Sequence, residues 1–191
     1  MNSTLTPLTA ARLVRSYNLM ALFGINLVLL TALFDQLILG ELPCPLCLLQ
    51  RVAFIMVGIG FLLNVRCGAA PLHYGLIVLS ALAGVISSGR QVLLHIVPGS
   101  GSYGSALFGL HLYTWSFIAF MLVLLSVGVA LLVDARVGEA RAATAGGRVG
   151  RWAGLLLAVI VLTNVAGSFL QCGLGPCEDS PTRYQLLGGK P

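Results

Sequence analysis

The chain has 191 residues, of which 58% are hydrophobic and only 9% are charged, whereas ordinary soluble domains carry about 25% charged residues. This composition excludes a soluble globular protein and indicates one that resides in a lipid bilayer. The formal net charge of +5 does not indicate nucleic-acid binding, because the basic residues are scattered between apolar runs and form no patch with interleaved aromatic side chains.

Five apolar segments follow one another along the chain, at 17–39, 46–65, 72–97, 113–133 and 152–170. Each is long enough to cross a hydrocarbon core of about 30 Å, which takes roughly 20 helical residues. A backbone inside the membrane must satisfy its own hydrogen bonds, and the sequence has no alternating strand pattern, so helices are preferred over a barrel. The sequence therefore predicts an all-α, polytopic membrane helix bundle.

The basic residues predict the orientation, because lysine and arginine concentrate in cytoplasmic connections. Arg12 and Arg15 precede the first segment, and Arg66 lies between the second and third. The Gly- and Ala-rich connection between the fourth and fifth holds Arg136, Arg141, Arg148 and Arg151. The connections around 40–47 and 98–111 hold no lysine or arginine. We therefore expect a cytoplasmic N-terminus and a C-terminal tail on the outer side.

This orientation sorts the five cysteines into two outer pairs and one inner thiol. Cys44 and Cys47 fall in the first outer loop, Cys172 and Cys177 follow the fifth segment, and Cys67 falls in a cytoplasmic connection, where its role stays open. Disulfides persist in the periplasm and are rare in the cytosol. The distribution therefore predicts thiol–disulfide chemistry on the outer face, with both pairs periplasmic.

The first pair forms the motif Cys44-Pro45-Leu46-Cys47 at the predicted start of the second helix. A thiol near a helix N-terminus and a cation ionises more readily, which favours exchange chemistry. Arg51 follows Cys47 by four residues, so it lies on the same helical face. A CxxC motif alone also fits half of a zinc site or a structural disulfide; the redox pair is the favoured interpretation.

The second pair, Cys172 and Cys177, encloses four residues, of which two are glycine and one is proline. A mobile cysteine pair of this kind suits a role in which it carries electrons by thiol–disulfide exchange. A local disulfide that closes the helix end is the structural alternative. A zinc ion held by all four outer thiolates is possible if the tail folds back, although we predict no metal site.

The presence of polar residues near the outer end of the third segment also requires an explanation, because charged groups are costly inside a membrane. Arg90, Gln91 and His95 cluster in SSGRQVLLHIVPG. His95 follows Gln91 by four residues and could donate a hydrogen bond or a proton to a quinone oxygen. The alternative is a snorkelling arginine and an interfacial histidine. Four polar residues of the first segment are expected to hydrogen-bond between helices: Asn18, Asn26, Asp35 and Gln36.

Together these motifs resemble the DsbB group of disulfide bond formation proteins, bacterial inner-membrane enzymes that reoxidise a periplasmic dithiol oxidase. The resemblance is carried by ELPCPLCLLQRVAF, GRQVLLH and FGLHLYTW and covers roughly 17–134. It implies a four-helix core, here with a fifth transmembrane helix, and a quinone, ubiquinone or menaquinone, held near the CxxC motif. By this resemblance Cys47 faces the quinone, Cys44 is its exchange partner, and Arg51 and His95 belong to the quinone site, to which we add Arg90 and Gln91.

The resemblance further implies a thiol:quinone oxidoreductase whose partners are a DsbA-like periplasmic oxidase, the membrane quinone pool and the bilayer. The family normally carries its second cysteine pair between the third and fourth helices, but 98–111 contains no cysteine. From position alone, we expect Cys172 and Cys177 to take over that role. The expected organisation has five parts: a cytoplasmic lead (1–16), the DsbB-like domain (17–134), a cytoplasmic linker (135–151), the fifth helix (152–171) and a periplasmic tail (172–191).

Several alternatives stay open. The chain could be a cysteine-rich membrane protein that binds zinc or copper, or a membrane scaffold with two structural disulfides. It could also resemble the vitamin K epoxide reductase group, or pass electrons in the opposite direction. The identity of the quinone, the soluble partner and the oligomeric state are not determined by the sequence.

Overall fold

A computed structural model describes residues 7–97, 101, 102, 104, 106–137 and 147–188. Five long helices and one short hairpin make up this part of the chain: α1 (Pro7–Leu37), α2 (Pro45–Cys67), α3 (Pro71–Leu94), β1 (Ala106–Leu107), β2 (Leu110–His111), α4 (Leu112–Val137) and α5 (Arg148–Cys172). All five helices are long and apolar enough to cross a membrane. The predicted polytopic helix bundle is confirmed, and the protein is a multi-pass membrane protein.

Helix α2 begins and ends where its sequence requires. Pro45 occupies the first turn, where its missing N–H costs no hydrogen bond. Cys44 is the N-cap, and its sulfur accepts the backbone N–H of Cys47. The helix ends before Gly68, whose φ of 90° falls in a region that favours glycine.

The other helix ends differ from the bounds of the predicted apolar segments, by a few residues at some ends and by a helical turn or more at others. Helix α1 begins at Pro7 and α5 at Arg148, inside the stretches expected to be the lead and the linker. Residues 1–6 of the lead and 138–146 of the linker lie outside the described residues. Helix α3 ends at Leu94, so His95 caps it instead of lying within it.

Helix α2 lies at the centre of the bundle and packs against α1, α3 and α5, while α4 packs mainly on α3. The faces that meet there are fully buried and apolar, as at Leu22, Val57 and Ile77. At Gly84 the ring of Phe120 occupies the space that a Cβ would need. The absence of a side chain at Gly84 therefore lets α3 and α4 approach closely.

Asn18 and Asn26 of α1 connect helices, as predicted, whereas Asp35, predicted to do the same, has a buried Oδ2 without a hydrogen-bond partner. Asn18 Nδ2 donates to Tyr74 Oη at 3.1 Å, and Asn64 Nδ2 donates to Asn18 Oδ1 at 2.8 Å. Asn26 Nδ2 lies 3.5 Å from the carbonyl oxygen of Ala153 on α5. Such bonds hold membrane helices together, because a lone polar group in hydrocarbon is costly.

The C-terminal tail, residues 173–188, folds back on the end of α5. The backbone N–H groups of Gln185 and Leu186 donate to the carbonyls of Gln171 and Leu170 at 3.2 and 3.1 Å. The Gln171 amide donates to the carbonyl of Pro43 at 2.7 Å. Since Gln171 precedes Cys172 and Pro43 precedes Cys44, this bond places both cysteine pairs at one end of the bundle, called here the cysteine end.

Candidate redox site

The CxxC pair lies at the N-terminus of α2, where the helix dipole favours negative charge. Cys44 is 6% exposed, and its Sγ accepts the backbone N–H of Cys47 at 3.2 Å. Both cysteines are free thiols. The pKa of the Cys44 thiol is raised above its ordinary value, first by its hydrogen bond with Cys47 and second by burial. The neighbouring sulfur and burial therefore both favour the neutral thiol at Cys44.

Gln91 of α3 lies directly on the two sulfurs. Its Nε2 is 3.4 Å from the Sγ of Cys44 and 3.5 Å from that of Cys47. Its Oε1 accepts the amide of Gln50 at 2.7 Å, which fixes the orientation of the side chain. Gln91, predicted from sequence to contact a quinone, is thus placed where it can donate to a thiolate on either cysteine.

Arg51 lies one turn after Cys47, and its guanidinium is held by acceptors on two other helices, α1 and α5. Its guanidinium donates to Gln36 Oε1, to the Ala32 carbonyl at 2.8 Å and to Asn164 Oδ1 at 3.3 Å. Arg51 is 9% exposed, so these acceptors replace the water that a buried cation needs. The acceptors that the guanidinium contacts belong to α1 and α5, and its role beside the cysteine pair stays a prediction.

Asn164 and Tyr184 are two further residues of the site that the sequence patterns did not predict. Asn164 lies on α5, and the Tyr184 hydroxyl of the tail accepts the Gln36 amide at 3.3 Å. A buried asparagine within an otherwise apolar helix was the available signal. Nothing in the local sequence around Tyr184 indicates its contact with Gln36, since that contact depends on how the tail folds back.

A cavity of about 270 Å³ opens beside Arg51, between α1, α2 and α4. Asp35, Gln50 and Trp115 also line it. Polar groups therefore concentrate at one end, and the remaining walls are largely apolar. The Arg51 guanidinium and the Gln50 amide are donors of the kind that a carbonyl oxygen requires.

A larger apolar groove of about 940 Å³ runs between α1 and α4. Val28 and Ala119 line both the groove and the cavity beside Arg51, so the two spaces adjoin. The groove extends along α1 as far as Leu13, some 15 residues from Val28 and about 22 Å at 1.5 Å per residue. A molecule with a polar head and a long apolar tail fits this combination.

Arg90 and His95 are not among the described side chains that line the cavity beside Arg51. Arg90 is exposed. His95 Nδ1 lies 2.9 Å from the Gln91 carbonyl oxygen, and its ring stacks on Tyr113 at a centroid distance of 5.3 Å. The structure thus brings His95 next to the residue that touches the sulfurs, and it separates Arg90 from the cavity.

Cys172 and Cys177 form a disulfide, and the first of them is 6% exposed. Their sulfurs are bonded to each other and are not available as thiolates for zinc. Within the described ranges, no group of three or more His, Cys, Asp or Glu side chains could hold a metal ion.

Comparisons with known proteins agree with the motifs. The family model described as "Disulfide bond formation protein DsbB" matches residues 14–103. "Disulfide bond formation protein B" of Nitrosomonas eutropha is 45% identical over 71 residues, which cover 35% of this chain and 44% of that protein. "Disulfide bond formation protein B 1" of Pseudomonas putida is 36% identical over 93 residues, which cover 46% and 55%.

The chain spans about half the length of these curated relatives. No solved structure shows a significant match. Helix α5, with Asn164 and the disulfide of the tail, lies beyond the residues that the family model matches.

Proposed function

We propose that the protein, whose residues 14–103 match the model of the DsbB family of disulfide bond formation proteins, is a membrane thiol:quinone oxidoreductase of that family. It would reoxidise a DsbA-like periplasmic dithiol oxidase and pass the electrons to a quinone, ubiquinone or menaquinone. The observation that carries the proposal is the pair of free thiols Cys44 and Cys47 at the start of the helix whose buried Arg51 lines a cavity that adjoins an apolar groove.

Electron transfer begins with thiol–disulfide exchange at the cysteine end. A thiolate of the reduced partner attacks the Cys172–Cys177 disulfide and forms a mixed disulfide, and the second thiol of the partner resolves it. The partner leaves oxidised, and the tail pair holds two electrons as a dithiol. The tail dithiol then reduces a Cys44–Cys47 disulfide by the same chemistry, which restores the tail disulfide. The Gln171–Pro43 hydrogen bond supports this relay because it keeps the two pairs at one end of the bundle.

The state with a tail disulfide and free Cys44 and Cys47 is the one that follows this internal exchange. A bound quinone supplies the two-electron acceptor that makes the sequence favourable, and about 30 mV of potential difference corresponds to roughly 1.4 kcal/mol. Arg51 stabilises negative charge on Cys47, and the Gln91 amide donates to the sulfurs. Arg51 and Gln50 are placed to donate hydrogen bonds to an acceptor oxygen in the cavity.

Helix α5 and the tail support this site through their contacts with Arg51 and Gln36. Asn164 accepts from the guanidinium, and Tyr184 accepts from the amide of Gln36. A buried cation that lost such an acceptor would be poorly solvated. We therefore assign Asn164 a positioning role for Arg51, in addition to the relay role of the tail pair.

The proposed location is the bacterial inner membrane, with the N-terminus in the cytoplasm and both cysteine pairs in the periplasm. Arg66 and Arg148 lie at the helix ends opposite the cysteine end, as the charge rule for cytoplasmic connections requires. The oxidising periplasm is the compartment in which exchangeable disulfides are maintained.

The purified protein tests the proposal directly. We expect it to couple the oxidation of one dithiol of a reduced DsbA-like oxidase to the reduction of one quinone, measured together as thiol loss and quinone absorbance. Omission of either substrate should stop both signals. Thiol oxidation without quinone reduction, or stoichiometric zinc or copper with no dithiol oxidation, would contradict the proposal.

The proposed binding of the quinone head in the cavity and of its tail in the groove is tested by Ala119→Phe. This substitution places a large side chain where the cavity meets the groove. We expect the KM for a quinone with a long isoprenoid tail to rise about tenfold, equivalent to about 1.4 kcal/mol. The KM for a short-chain quinone should change less than about threefold, since its head needs only the cavity beside Arg51. Ala83→Phe, on the exposed face of α3, is the matched control. Equal effects on long and short quinones would count against this route.

A further inference from the structure

Asp35 contributes a carboxyl group to the cavity beside Arg51, and neither the cysteine relay nor the anchoring of Arg51 uses it. It lies on α1, two residues before the helix ends. Its Oδ2 atom is buried and has no hydrogen-bond partner. Because a buried polar atom without a partner is costly, this oxygen is suited to a partner that comes with the ligand.

The proposed reaction needs proton transfer in that cavity. When the Cys44–Cys47 bond forms, the pair loses two electrons and two protons in total. A quinone that becomes a hydroquinone gains two electrons and two protons. The Arg51 guanidinium stays protonated throughout, and the Gln50 amide does not exchange a proton at neutral pH. Among the described side chains that line this cavity, Asp35 is therefore the group whose chemistry suits proton transfer.

We infer that Asp35 is the proton-transfer residue of the acceptor cavity, an inference that rests on the proposed function. As the cysteine pair gives two electrons to the acceptor and releases its two thiol protons to water at the cysteine end, the Asp35 carboxyl gives a proton to one acceptor oxygen. Its carboxylate then accepts a hydrogen bond from the hydroxyl that results. The other acceptor oxygen takes its proton from water, and the Asp35 carboxyl recovers its own proton from water at the cysteine end. No net proton is gained or lost through Asp35 over a turnover.

The position of Asp35 near the end of α1 supports the route for reprotonation. The Asp35 carbonyl accepts the backbone N–H of Glu41 at 3.0 Å, so the loop that leads to the CxxC motif begins beside it. Two charged groups influence the Asp35 carboxyl: Glu41 in this loop and Arg51 across the cavity. Glu41 is not among the described side chains that line the cavity, which makes it a suitable control.

The test compares Asp35→Ala with Glu41→Ala, each in the full chain. For Asp35→Ala we expect kcat for quinone reduction to fall about 100-fold, within the range of general acid catalysis. Sodium formate should restore at least a tenth of the lost rate, because the truncation leaves space for a small carboxylic acid. Glu41→Ala should keep kcat within about threefold of the wild type and show no response to formate, as expected for a group outside the proton route.

A binding measurement separates proton transfer from a structural role. Trp115 lines the same cavity, so its fluorescence, recorded in a Trp152→Phe background, reports occupancy. Asp35→Ala should weaken hydroquinone binding about fivefold, as the loss of a hydrogen bond to a charged acceptor predicts, and change quinone binding less than twofold. An unchanged kcat, no rescue by formate, or equal loss of both affinities would overturn the inference. Normal wild-type turnover in those cases would leave the proposed function intact.

Discussion

Replacement of Cys47 by serine is expected to reduce dithiol-driven quinone reduction by at least about 10³-fold, as losses of essential nucleophiles do. The serine hydroxyl cannot form the disulfide through which both electrons must leave. Cys44→Ser should give a loss of similar size, because the two sulfurs act as one pair. The measurement is quinone absorbance under saturating reduced oxidase, with dithiothreitol as a second electron donor. Both donors should fail, since both feed the same pair.

Cys67→Ser is the matched control for these variants. Cys67 is an exposed free thiol at the opposite end of α2 from Cys44, so its removal should leave kcat and KM within about twofold of the wild type. Quinone reduction above a few per cent in either Cys44→Ser or Cys47→Ser would contradict the assignment of this pair as the donor to the quinone. In that case the tail pair would have to reduce the acceptor itself.

The helical architecture could be predicted from sequence because it depends on local properties. Runs of about 20 apolar residues must become helices in a bilayer, and Pro45 and Gly68 mark the ends of α2 through their own backbone preferences. The placement of Arg51 one turn after Cys47 on α2 was predictable for the same reason, since a spacing of four residues fixes one helical face.

The contacts between helices could not be predicted in the same way, because they depend on packing. Gln91 was expected to touch a quinone, but the distance between α2 and α3 places its amide on both sulfurs. No role was predicted for Asn164, although its Oδ1 and the Oε1 of Gln36 both accept hydrogen bonds from Arg51. Spacing along one helix identifies a face, but it does not identify the helix that this face meets.

The docking of the tail is the largest feature beyond the reach of sequence patterns. Gln171, near the end of α5, and Tyr184 of the tail bond to Pro43 and Gln36, more than a hundred residues earlier in the chain. No periodicity indicates such long-range bonds. The charge distribution predicted the side of the membrane on which Cys172 and Cys177 lie, and their role in electron transfer, expected from position alone, stays a prediction.

The double variant Cys172→Ser/Cys177→Ser is expected to lose at least about 100-fold in turnover with a reduced DsbA-like oxidase and to retain most of its turnover with dithiothreitol. A protein substrate needs an accessible disulfide, whereas Cys44 is buried and reached more easily by a small thiol. Exchange rates depend on which sulfur is accessible. Thermal unfolding of the variant in detergent controls for stability, because closing so short a loop contributes little chain entropy.

A single variant identifies the sulfur that the partner attacks. Cys177 is more exposed than Cys172, so the partner thiolate should attack Cys177 and release Cys172 as a thiolate, and the second thiol of the partner then resolves the mixed disulfide. An oxidase variant that lacks this second cysteine should therefore stay linked to Cys177 of the wild-type protein, visible on non-reducing gels and located by mass spectrometry of the linked peptides; linkage through Cys172 would contradict the assignment. Full turnover of the double variant with the oxidase would mean that the tail disulfide only closes the end of α5. The CxxC pair would then have to meet the soluble partner directly, through movement of the tail that is bonded to Pro43.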